Sequence, residues 1–338
     1  MRFLITGGAG FIGTHLTKKL LSNGYDVSII DNLNAQVHNS RSELIDLVSM
    51  FVVGDAEVVH TWEPFFGQHF DVIICLAAET GTGQSMMKAH SYCNSNISSI
   101  GLLNDIIVHG KLTCDRVILA SSRAVYGEAL LDDNGNPIGV TEADPINPRS
   151  IYAITKYAQE QLLFCGFPNV QTCALRFQNV YGEGQSLTNP YTGILSIFSS
   201  AAKNGQDLQL FGDGKMTRDF IHVSDVVDAI LITTKAPNID GEVFNVGTGV
   251  STTVLDVALK ARERQRKKVN IIITGEDIDG DIRHNFADIS KIRKLSFEPK
   301  ISFDEGVKRF FTWVDGEDLL ESDYTEVIST LREKKLLK

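Results

Sequence analysis

The chain has 338 residues, 43% of them hydrophobic and 22% charged, with 32 Lys and Arg against 42 Asp and Glu for a net charge of −10. Such a chain holds one large or two modest domains around a sizeable core, which excludes disordered, collagen-like and small disulfide-framework proteins. The acidic balance supplies no field that would gather nucleic acid or an anionic membrane, so an anionic ligand must be held by local donors.

Cys75, Cys93, Cys114, Cys165 and Cys173 are widely spaced and contain no C-x-x-C pair. The expectation is reduced thiols, with no disulfide framework and no metal site. No apolar run approaches the ~20 residues of a membrane span, and the start, Met1-Arg2-Phe3-Leu4-Ile5-Thr6-Gly7, lacks a signal-peptide layout. The reading is a cytoplasmic protein.

In chain order, short apolar runs at 3–6, 27–30, 72–76, 117–120 and 170–176 predict buried strands. Segments 11–22, 91–108 and 150–164 have helical spacing between them. Strands alternating with helices predict an α/β fold: a doubly wound parallel sheet covered on both faces, with ligands beyond the carboxyl ends of its strands. After residue 177 the chain changes to shorter elements among Gly, Asn and Pro. The expected division is a Rossmann-type domain over 1–177 and a smaller α/β substrate domain over 178–338, with 219–246 returning in part to the first. The basic run 262–268 reads as a solvated helix end.

The first strand leads into Gly7-Gly8-Ala9-Gly10-Phe11-Ile12-Gly13, where Gly7, Gly10 and Gly13 open a helix. Such a turn lets backbone N–H groups meet a pyrophosphate without Cβ interference. Asp31 ends the second predicted strand, where its carboxylate would accept from both adenosine ribose hydroxyls and repel a 2′-phosphate. These residues, with Asn32 beside Asp31, predict NAD rather than NADP. Asp55 and Ala56 suit the adenine edge, and Leu76, Ala77 and Ala78 suit the bed under the cofactor's backbone.

Tyr152 and Lys156 stand at i, i+4 on one helix face. An adjacent ammonium and a positive nicotinamide ring both favour a phenolate, so Lys156 is expected to lower the Tyr152 pKa and to hold the nicotinamide ribose. Ser122, at the end of a predicted strand, would complete the hydrogen bond to a substrate oxygen.

With these residues in this order, the chain resembles the extended short-chain dehydrogenases/reductases, in their NAD-dependent nucleotide-sugar epimerase/dehydratase branch. Arg176-Phe177-Gln178-Asn179-Val180-Tyr181-Gly182 is similar to the family's R-x-x-N-V-Y-G stretch. Gly212-Asp213-Gly214, the block Arg218-Asp219-Phe220-Ile221-His222-Val223-Ser224-Asp225 and Gly280-Asp281-Ile282-Arg283 match further motifs. The resemblance implies that Asn179 contacts the sugar nucleotide and that Arg218 and Arg283 hold its diphosphate. It also implies a homodimer built on helices 91–108 and 150–164.

The two positions after the active hydroxyl distinguish the reactions of this branch. Relatives that dehydrate the sugar carry an Asp-Glu pair there, and decarboxylases carry a Glu at the second; this chain has Arg123 and Ala124. With no extra acid or base, the economical chemistry is oxidation at C4, rotation of the ketone and return of hydride to the other face. Segments 79–86, 122–128 and 189–195 resemble the bacterial dTDP-6-deoxyhexose 4-epimerases of the dTDP-L-rhamnose type more than the UDP-galactose enzymes. Thr82, Ser122 and Arg123 are expected at the substrate. An NAD(P)H-dependent 4-ketosugar reductase and a non-catalytic NAD-binding scaffold are the alternative readings.

Overall fold

The computed structural model describes residues 1–38, 42–189, 191, 193–263, 269–278, 280–317, 324–334 and 336–337. Five residues of the basic run, 264–268, and Pro190 and Thr192 of the 189–195 segment lie outside the described residues. Strands are numbered in chain order. β1 (Arg2–Thr6), β2 (Asp26–Asp31), β3 (Met50–Val53), β4 (His69–Cys75), β5 (Thr113–Ser122) and β6 (Gln171–Phe177) belong to the central sheet. Of the strands that follow, β7 (Asn179–Tyr181), β8 (Leu208–Leu210), β9 (Thr217–Arg218) and β10 (Phe220–His222) form smaller pairings, while β11 (Glu242–Val246) rejoins the central sheet. β12 (Thr252–Thr253), β13 (Ile271–Ile273) and β14 (His284–Asn285) complete the set.

The central sheet has the order β11-β6-β5-β4-β1-β2-β3 and is parallel throughout. The chain begins in the middle at β1, moves outward through β2 and β3, then crosses to β4 and runs out the other way. This reversal between β1 and β4 leaves a crevice at their carboxyl ends, the place where doubly wound sheets bind ligands.

Alternation along each strand divides the core. Phe3, Ile5, Ile29, Val72 and Ile74 face one layer with the helices Phe11–Ser22 and Val223–Lys235. Leu4, Ile30, Ile73, Val117 and Leu119 face the other with Ser99–Val108 and Ile151–Gly166. Burial on both faces explains why these strands read as continuous apolar runs.

Two strands beyond the five predicted extend the sheet. Met50–Val53 is a four-residue edge strand, half-exposed, and too short to stand out by periodicity. Glu242–Val246 pairs with β6 at the opposite edge. The predicted helix 91–108 is a continuous helical stretch: Ala89–Tyr92, a π-helical section Cys93–Ser98, then Ser99–Val108. The helices Ile194–Asn204, Val254–Glu263 and Phe303–Gly316 enclose a third apolar cluster around Phe198, Phe220 and Phe310, which forms the smaller lobe facing the crevice.

Candidate active site

A cleft of about 620 Å³ runs from the carboxyl ends of the central strands to the smaller lobe. At its inner end Gly7 adopts φ +71°, and a Cβ there would come within 2.6 Å of the Ala77 backbone nitrogen. A Cβ on Gly13 would lie 2.2 Å from the Gly7 carbonyl oxygen. Only glycine allows this close approach of loop, helix and strand, and the turn therefore presents bare backbone at the N-terminus of the helix Phe11–Ser22. The residues present fit a dinucleotide diphosphate, and Gly7, Gly10, Phe11, Ile12 and Gly13 all line the cleft.

Asp31 ends β2, and its two oxygens accept from the backbone N–H groups of Ala9 and Leu33, each at 2.9 Å. The carboxylate thus ties the glycine turn to the neighbouring strand and still lines the cleft. Asn32, Ala56, Leu76, Ala77 and Ala78 line it as well. Asp55 stands beside the cleft: its carboxylate accepts from Asn32 Nδ2 at 2.7 Å, and Gly54, Ala56 and Glu57 on either side of it line the cleft.

At the centre, Ser122 closes β5 and Tyr152 and Lys156 come from the helix Ile151–Gly166, whose N-terminus is capped by Ser150 accepting from the Ala153 N–H. All three line the cleft. Burial pushes the Tyr152 pKa above its ordinary value, opposed by the Ser122 hydroxyl and the Arg123 charge. The expected lowering by Lys156 is absent: its ammonium donates to the Ala120 carbonyl at 2.9 Å and sits 6.0 Å from the Tyr152 ring centroid. The charge that opposes the rise is that of Arg123. Burial pulls the Lys156 pKa down to about 8.

Toward the smaller lobe, Thr82, Arg123, Asn179 and Arg218 line the cleft. Arg218 is buried and donates to Asp281 Oδ1 at 2.8 Å. Arg283 departs from the resemblance. Its guanidinium pairs with Asp213 at 2.7 Å and approaches Asp277, it is half-exposed, and it does not line the cleft. The acidic turn beside it draws the charge away from the site.

Sequence reading missed three supports. Asn96, fully buried in the π-helical section, accepts from the Glu79 N–H at 2.8 Å and donates to Thr155 Oγ1 at 2.9 Å, fastening the loop after β4 to the catalytic helix. Glu160 binds Arg176 and Ser121 behind the catalytic hydroxyl. The helix Tyr324–Glu333 brings Ile328 against Met87, Tyr191, Phe211 and Ile278 at the outer end of the cleft. Arg332 pairs with Glu276 from the same helix, and Leu337, beyond it, bridges to Ile278. None of the three has a local signature: the π-helical insertion cannot be told from an α-helix by spacing.

A doubly wound sheet with a glycine turn, an Asp at the end of its second strand and a Ser/Tyr/Lys set at one crevice defines a nicotinamide-dependent short-chain dehydrogenase/reductase architecture. The chain belongs to the NAD dependent epimerase/dehydratase family, whose sequence model matches residues 3–247. It is 34% identical to a dTDP-L-rhamnose 4-epimerase of Burkholderia thailandensis, across 94% of this chain and 95% of that one. The structure of a UDP-glucose 4-epimerase of Thermotoga maritima with UDP-glucose is 30% identical and superposes with a TM-score of 0.83, covering 93% of this chain and 99% of that one. A Thermus thermophilus UDP-glucose 4-epimerase in complex with NAD gives 0.81 at 25% identity, over 94% of this chain and 100% of that one.

Proposed function

We propose that the protein is a nucleotide-sugar 4-epimerase that keeps and recycles its NAD, acting on a dTDP- or UDP-linked hexose or 6-deoxyhexose, with supply of surface-polysaccharide precursors as its setting. The observation that carries the reading is the centre of the cleft: Ser122, Tyr152 and Lys156 converge while Arg123 and Ala124 stand where an added acid or base would be needed for dehydration. The similarity to 4-epimerases over nearly the whole chain supports it.

NAD supplies the hydride acceptor and donor at C4. Tyr152 takes the C4 hydroxyl proton as the ketone forms and returns it after the sugar turns; Ser122 holds the same oxygen. Lys156 holds the nicotinamide ribose. The experiment is incubation of purified protein with dTDP- and UDP-sugars and no added cofactor, with products separated by NMR. Many turnovers per enzyme support recycled NAD, whereas arrest after one turnover would establish the reductase alternative.

Asp31 selects NAD in this reading. Replacing Asp31 with Asn should weaken NAD at least about 10-fold, since hydrogen bonds to a charged acceptor contribute ~1.5–3 kcal/mol each, and should leave NADP no weaker. Calorimetry on cofactor-free protein checks this; unchanged NAD affinity would remove Asp31 from the ribose.

The reading includes a homodimer. Ile154 on the catalytic helix and Val108 on its packing partner are 48% and 53% exposed, large apolar side chains on the outward faces of the two helices. A four-helix contact between copies would cover them. Ile154→Glu is expected to convert a dimer to a monomer in light scattering; a wild-type monomer would refute the dimer.

A further inference from the structure

Gln36, Gln84 and Asn189 come from three separate loops and meet at the cleft. Gln84 Nε2 donates to Gln36 Oε1 at 3.0 Å, and Gln36 Nε2 returns a longer bond to Gln84 Oε1 at 3.4 Å, which makes a reciprocal amide pair. The same Gln36 nitrogen donates to Asn189 Oδ1 at 3.2 Å, on the segment that leads to the smaller lobe. Both glutamines are held from behind. Gln36 ends a run of side-chain turns after β2, in which Asp31, Asn32 and Asn34 accept in succession from the N–H groups of Leu33, Asn34 and Gln36. Gln84 lies in the short helix Thr82–Ser85, is 2% exposed, and accepts from the Tyr92 hydroxyl at 3.1 Å.

The order of the sheet fixes what this pair bridges. β1 lies between β4 and β2 and all three are parallel, so the loops after β2 and β4 leave the same edge of the sheet on either side of the glycine turn. A bond joining those two loops crosses beyond that turn. Gln36 and Asn189 line the same cleft as Gly7 and Gly13. A dinucleotide whose diphosphate rests on the turn would therefore be enclosed between the turn and the amide pair. Neutral side-chain hydrogen bonds are individually weak, so such a bridge can open to admit a cofactor and close behind it.

We propose that Gln36 and Gln84 form a clasp across the bound NAD that keeps it in the protein between turnovers. The proposal rests on the reading of a recycled cofactor and names the residues that retain it. Both are positioning residues: Gln84 is buried and offers the cofactor almost no surface, so it acts through Gln36.

The test loads wild type, Gln36→Ala, Gln84→Ala and the double variant with radiolabelled NAD and follows its release during a chase with unlabelled NAD. Each single substitution should speed release about 5- to 100-fold, the scale of two neutral hydrogen bonds expressed in the dissociation rate. The double variant should release NAD no faster than the faster single one, since both substitutions break the same bonds. After gel filtration wild type should carry its NAD through, whereas the variants should come out depleted and regain turnover when NAD is added. Release at the wild-type rate in both single variants would overturn the clasp. Fast release from Gln36→Ala alone would mean that Gln36 touches the cofactor directly, and additive effects would mean that the two residues act separately; either overturns it. Failure of added NAD to restore turnover would mean general damage to the site and also count against it. If wild type itself emerges from gel filtration empty, the recycled-cofactor reading falls and the clasp with it; wild-type retention shared by all the variants removes the clasp alone.

Discussion

Tyr152→Phe should retain NAD and fold normally yet lose at least about 100-fold in kcat, the scale of a single general acid/base group. The ring is held on its own account, edge-on to Tyr92 with centroids 6.4 Å apart, so removing the hydroxyl leaves the packing in place. What is lost is the proton carrier at the centre of the cleft. Because burial raises the phenol pKa and only Ser122 and Arg123 oppose it, the phenol is neutral at pH 7 before substrate and cofactor meet. The charge that finishes the activation must come from the nicotinamide ring once it is in place. Turnover per bound NAD, measured with the best sugar nucleotide found, is the readout; activity within a few fold of wild type would take Tyr152 out of the chemistry. Ser122→Ala, which removes a hydrogen bond but no proton carrier, should cost less.

The parts of the site legible in the sequence are those built by short motifs at strand ends. Gly7 and Gly13 are required by local geometry, and Asp31, Ser122, Tyr152 and Lys156 take their places from the strand or helix that carries them. The residues that the structure leaves outside the cleft lining are held by partners elsewhere in the chain. Arg283 has the residue type a diphosphate needs, but Asp213 is 70 positions away and holds it first. Asp55 is spent on Asn32 across a gap of 23 residues. The i, i+4 spacing of Tyr152 and Lys156 correctly put both in the cleft, yet which cation acts on the phenol was decided by the Ala120 carbonyl at the end of β5, a contact no spacing displays. Asn96 and Ile328 were invisible for the same reason: their roles come from what the fold brings to them.

The pair that locks this arrangement is Glu160 with Arg176, and removing one partner should produce the largest loss of stability in the protein. Glu160 is 1% exposed and accepts from Arg176 Nε at 2.9 Å, from Arg176 NH2 at 2.7 Å and from the Ser121 hydroxyl at 2.5 Å. Burial works to lower the Arg176 pKa, yet Glu160, followed by Tyr126, holds it above the ordinary arginine value. Glu160→Ala leaves that charge buried with its NH1 already lacking a partner, and should destabilise by about 3–5 kcal/mol in urea unfolding. Replacing both partners with Leu removes the stranded charge, so the double variant should be more stable than either single one; if it is equally unstable, the pair's worth lies in packing rather than charge. Its activity separates a second role. Ser121 and Arg176 face each other across β5 and β6, and Glu160 rises from the helix that carries Tyr152, so the pair joins the strand of Ser122 to the helix of its partner. The double variant should therefore stay folded and keep NAD while kcat falls about 10-fold or more, since a shift of ~1 Å between hydroxyl and phenol is enough to cost rate on that scale.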